Sequence, residues 1–171
     1  MDIGILSIIT LSIALIISVI TDIRSRKIYN FVVFPGIIFA FVFQISSSGI
    51  SGALEALAGF AVGLGLLLIP YLLGGMGAGD VKLLAMVGAF KGTIFVLVAA
   101  VYMAIIGAVL AVLVLVFRKG CLNRIKIIAY LIYGLKNGII VPIDFRGTFP
   151  SEGTPYGVAI AVGALCGLLF F

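Results

Sequence analysis

The chain has 171 residues, of which 64% are hydrophobic and 10% charged, with a formal net charge of +5 and a mean hydropathy of +1.41. A soluble domain of this size needs a polar exterior, because so much of its surface faces water. An apolar solvent removes that conflict, so residues 1–171 are expected to form a single integral membrane domain.

Residues 3–20 read as a first span. They resemble a secretory signal only superficially, because Asp2 stands where a basic flank would lie and no small-residue cleavage site follows. Arg24, Arg26 and Lys27 come after the apolar run, the order expected of a retained helix entering the cytoplasm. A polar stretch, 21–30, leads to a second span over 31–45, and a small polar turn over 46–52 follows. The third span, 53–73, carries Gly59, Gly63 and Gly65, of which the first two form a G-x-x-x-G pair suited to close helix approach. Residues 74–80 then hold four glycines and end on Asp80. A short helix over 80–90, about half a membrane thick, stops at Lys91-Gly92, and 93–117 is a full span.

Residues 118–153 are the one long polar region, and 154–171 form the last span. Within the polar region Leu122, Ile125, Ile128, Ala129, Ile132 and Leu135 recur at helical spacing. Asn123, Lys126, Tyr130, Tyr133 and Asn137 take the opposite arc, which predicts a helix lying in the membrane interface. Such a helix could cover the bundle or dock a substrate. The expected fold is all-α, a polytopic membrane bundle of about six transmembrane helices, one of them short.

The charges orient that bundle. With the N-terminus outside, the segments 21–30, 74–82 and 118–153 face the cytoplasm and hold ten of the 11 basic residues, leaving only Lys91 outside. This asymmetry accounts for the basic excess through membrane orientation, without nucleic acid as a partner. It also sets Asp22 and Asp80 on the same, cytoplasmic, side.

Six acidic residues are present: Asp2, Asp22, Glu55, Asp80, Asp144 and Glu152. Asp22 and Asp80 stand out, because each lies at a membrane boundary beside an apolar helix, where a carboxylate is costly unless paired, hydrated or neutralised. Two carboxylates held together in a site of low dielectric share one proton, so one serves as base toward water while the other serves as acid. The chain contains no histidine, and its two cysteines, Cys121 and Cys166, are far apart, so a zinc site, a Cys–His nucleophile and a disulfide framework find little support. No metal or cofactor is expected. Gly77 and Gly79 allow positive φ and close approach of another backbone, which suits a site that must admit an extended peptide. Asp80 could equally be a plain N-cap for the helix that follows. Lys82 could pair with an acid or anchor its helix at the lipid interface.

The segment 77–83, Gly-Ala-Gly-Asp-Val-Lys-Leu, resembles the G-x-G-D-x-K-L signature of type IV prepilin peptidases and archaeal preflagellin peptidases. The stretch from Asp22 to Asn30 is similar to that family's first aspartate motif, D-I-x-x-R-x-I-P-N, with Tyr29 in place of the proline. Residues 154–161, beginning Thr-Pro-Tyr-Gly, look like its closing P-[YF]-G-x-A-x-A segment. The resemblance implies that Asp22 and Asp80 are catalytic aspartates, supported by Gly77, Gly79 and Lys82. It implies a pilin-like precursor as partner, with a short basic leader and a hydrophobic helix, cleaved at the cytoplasmic face of a prokaryotic cell membrane. Larger bacterial members carry a cytoplasmic domain with C-x-x-C pairs and also N-methylate the product. This sequence shows no such segment, so peptidase activity alone is expected. The competing reading is a small transporter or proton pathway using the same two aspartates.

Overall fold

The computed structural model describes residues 3–117 and 156–170. They form five helices: α1 (Ile3–Ser25), α2 (Asn30–Leu72), α3 (Ala78–Lys91), α4 (Thr93–Phe117) and α5 (Tyr156–Phe170). The expected interfacial helix within 118–153 lies outside the described residues.

A straight helix as long as α2 would measure about 65 Å, twice the hydrocarbon thickness of a bilayer. Gly49 interrupts it with φ 61° and ψ −135°, a conformation that only glycine adopts without strain. The chain reverses there. A side chain at Gly52 would strike the carbonyl of Gln44, although two turns of straight helix would hold the two residues ~12 Å apart. The expected second and third spans are therefore the two arms of α2, and a single residue makes the turn assigned to residues 46–52. α1, α2 and α4 are the three described helices long and apolar enough to cross a membrane, and Gly49 divides α2 into its two arms. α3 and the described part of α5 are shorter, giving six helical segments among the described residues.

α3 occupies the centre. Leu83, Leu84, Ala85, Met86, Val87 and Ala89 are all fully buried, so the helix shows neighbours on every side and has no lipid face. The first arm of α2 runs alongside it in the same direction, with Gly36 at Met86 and the Gln44 amide donating to the Phe90 carbonyl at 3.1 Å. The second arm runs the opposite way, with Gly63 at Leu84 and Ala85, Gly59 at Gly88, and Glu55 at Gly92. These opposed registers confirm the reversal at Gly49.

The outer surface is apolar, as at Ile5, Ile13, Ile16, Phe34, Ile38, Leu54, Ile69, Val101 and Ile105. A bilayer is the solvent that accepts such a surface, and the protein is a multi-pass membrane protein. Lipid tails compete equally well for apolar side chains, so the helices are held by close packing rather than by escape from water. Gly59 and Gly88 show how: a Cβ on either would fall on the other's carbonyl. Gly59→Val is accordingly expected to destabilise the bundle by about 1–3 kcal/mol. Gly65→Ala, where nothing lies within 4 Å of an added Cβ, should leave thermal unfolding in detergent unchanged or slightly higher. Equal melting temperatures for the two variants would refute the close-packing account.

Candidate active site

α1 continues past the apolar run and carries Asp22 in its last turns, where the sequence suggested a polar connection. The helix ends at Ser25, and Arg26 takes a left-handed φ of 51° while its amide still reaches the Asp22 carbonyl at 2.8 Å. A carboxylate near the C-terminus of its own helix faces the negative end of the helix dipole, a penalty of about 0.3–1 kcal/mol. Asp22 escapes it by turning to another helix. Its Oδ2 accepts the amide of Gly157, in the first turn of α5, at 2.8 Å, and the Val158 amide lies beside it. A hydrogen bond to a charged group contributes about 1.5–3 kcal/mol, so the contact with α5 outweighs the dipole cost.

Asp80 is placed differently. Gly77 is the N-cap of α3, so Asp80 falls at the third helical position and is not the cap itself. Its carboxylate reaches back to accept the Gly77 amide at 3.1 Å, which settles a donor that the helix start leaves unpaired. Both acids are nearly buried, Asp22 at 6% and Asp80 at 9% exposure. Both line one cavity of about 340 Å³, together with Arg26, Lys27, Ile28, Tyr29, Asn30, Gly77, Ala78 and Gly79. The structure thus brings together Asp22, Asp80, Gly77 and Gly79.

The glycines act through one of the two properties expected of them. Neither Gly77 nor Gly79 has positive φ; that conformation occurs at Gly74, Gly49 and Gly92. Close approach is the property used. A Cβ on Gly79 would come within 2.9 Å of the Ile28 Cβ, so the missing side chain lets the start of α3 press against the connection between α1 and α2. Lys82 lies outside the lining of the cavity. Its ammonium donates to Asn30 Oδ1 at 3.1 Å and sits 5.3 Å from the centre of the Phe34 ring, tying α3 to the start of α2.

Ser18 lies one turn before Asp22 on α1. It is fully buried, and its hydroxyl has no hydrogen-bond partner among the described residues. Among the described residues no group of three or more His, Cys, Asp or Glu side chains is arranged to hold a metal ion. At the opposite end of the bundle Lys91 and Glu55 line a separate cavity of about 270 Å³ with Gly4, Ser7, Gln44 and Ser47. Lys91 is therefore at the far end of α3 from the two aspartates.

An apolar helix bundle in which two nearly buried carboxylates line one cavity defines a class of site suited to water-dependent chemistry. Residues 9–116 match the type IV leader peptidase family. The chain belongs to that family and is a membrane peptidase. Neither the curated proteins nor the solved structures compared with it contain a match.

Sequence reasoning assigned no role to Gly157, Ile28 or Asn30, although all three lie inside the motif stretches. The signal was their position in those stretches, but contact with Asp22, Gly79 and Lys82 required the fold. Two outcomes follow. Gly79→Val should lower leader cleavage on the order of tenfold or more by pushing α3 from Ile28. Gly75→Ala, whose added Cβ makes only an ordinary contact at 3.4 Å, should not. Ser18→Ala should keep or raise the melting temperature, since a buried hydroxyl without a partner costs about 1–3 kcal/mol; a clear fall would reveal a bond that the hydroxyl makes.

Proposed function

We propose that the protein is an aspartyl endopeptidase that removes the short basic leader from a pilin-like precursor at the cytoplasmic face of the membrane, with Asp22 and Asp80 as its catalytic pair. The observation that carries this reading is the shared cavity: two carboxylates from separate helices line one space in an otherwise apolar bundle. Family membership supports a leader peptide as the substrate. The basic residues Arg24, Arg26, Lys27 and Lys82 lie toward the same end as the two acids, and the positive-inside tendency supports a cytoplasmic site.

The chemistry needs one proton shared between the pair. The ionised carboxylate takes a proton from water as the water oxygen attacks the scissile carbonyl carbon. The protonated partner gives its proton to the carbonyl oxygen, forming a neutral tetrahedral diol. Collapse of the diol breaks the carbon–nitrogen bond. The carboxyl that took its proton from water gives it to the departing nitrogen, and one hydroxyl proton of the diol passes to the other carboxylate, leaving a carboxylic acid on the leader, an amine on the mature subunit and one proton again on the pair. The pair titrates as a unit, so cleavage should decline both where two protons are bound and where none remains.

The test is reconstitution with a pilin-like precursor. Asp22→Asn and Asp80→Asn should each reduce kcat by about 10²-fold or more while the protein remains folded. Leader processing at the wild-type rate in either variant would remove that residue from the pair. Loss of an ion flux without any effect on proteolysis would instead support a transport function.

A further inference from the structure

The family match ends at residue 116, yet a hydrogen bond to Asp22 comes from Gly157, well beyond it. Three observations converge on this contact. The Gly157 amide donates to Asp22 Oδ2 at 2.8 Å. Gly157 is itself buried. A Cβ added there would lie 2.7 Å from that same oxygen and 3.1 Å from the carboxyl carbon. Real Cβ atoms do not approach an oxygen so closely, so a larger residue requires the carboxylate or the start of α5 to shift. Gly163 of α5 is close-packed for another reason: its nearest neighbours are the backbone atoms of Ala99 and Met103 on α4.

We propose that Gly157 is a positioning residue for Asp22, holding its carboxylate toward the cavity through the first-turn amide of α5 and through the absence of a side chain. The inference rests on the reading of Asp22 as one of the catalytic pair. Amides of the first turn of α5 fix the direction of the carboxylate. The first turn of a helix supplies such amides without taking them from the helix's own bonding, since they have no partner within it. A displacement of about 1 Å at the acid suffices to reduce catalysis on the order of 10²-fold without altering how a remote part of the substrate binds.

The experiment combines kinetics with a double-mutant cycle on stability. Gly157→Ala, Asp22→Asn, Asp22→Ala, the pair Gly157→Ala with Asp22→Ala, and Gly163→Ala are purified and assayed with a pilin-like precursor. Gly157→Ala is expected to lower kcat on the order of 10²-fold with KM changed by less than about threefold. Gly163→Ala should lower the melting temperature and spare the kcat of the folded protein. The destabilisation caused by Gly157→Ala should shrink when Asp22 is already alanine, because the two nearest atoms it strikes, Oδ2 and Cγ, are gone. If Gly157→Ala does not fold alone, recovery of a folded protein on adding Asp22→Ala supports the contact, and failure to recover overturns it. Wild-type kcat in Gly157→Ala beside an inactive Asp22→Asn overturns the positioning role and leaves the catalytic pair standing. Full activity in Asp22→Asn removes the catalytic reading, and the positioning role falls with it.

Discussion

α3 has 14 residues, about 21 Å of helix, and almost none of it touches lipid. A helix too short to span the bilayer and apolar on every side has to be enclosed by others, and this constraint organises the bundle. The two arms of α2 enclose it from opposite directions, which requires the chain to reverse between them, and Gly49 supplies that reversal. Gly59, Gly63 and Gly88 let the backbones approach closely, and Gly36 makes room for the Met86 side chain, so that packing replaces the missing hydrophobic driving force. The ends of α3 cannot be enclosed in the same way. Asp80 and Lys82 mark one end and Lys91 the other, so the polar groups and the two cavities fall at opposite ends of the bundle.

The two carboxylates are stabilised by different means, although they share a cavity. Asp80 is satisfied locally, by the amide of the residue that starts its own helix. Asp22 is satisfied at long range, by a helix 135 residues away in sequence. A local bond survives most rearrangements of neighbouring helices, whereas a long-range bond reports on how α1 and α5 are seated. The geometry of the pair is therefore more sensitive to packing at Asp22 than at Asp80.

Much of this was legible in the sequence because membrane spans follow length and hydropathy. The span over 93–117 coincides with α4, and the short helix was placed two residues late at its start. What the sequence concealed was continuity and contact. The polar run around Ser46–Ser48 suggested a loop, yet serines at a membrane edge tolerate helix, and a single glycine makes the turn. Asp22 was read as lying beyond its helix, since apolar patterning stops at Ile20 while backbone hydrogen bonding continues to Ser25. The two aspartates were singled out from their setting at the membrane boundary. The roles of Gly79 and Gly157 depend on which atoms lie opposite them, and spacing along the chain holds no record of that.

The span of the Asp22–Gly157 bond has a consequence for biogenesis. A chain emerging from the ribosome delivers Asp22 first and Asp80 next, and by the end of α4 both carboxylates have been made. The amide that holds Asp22 does not yet exist. It arrives only with α5, after a further polar stretch has been made. The order of synthesis thus separates possession of both acids from completion of the site, and a partly translated chain carries the pair without the contact that orients it.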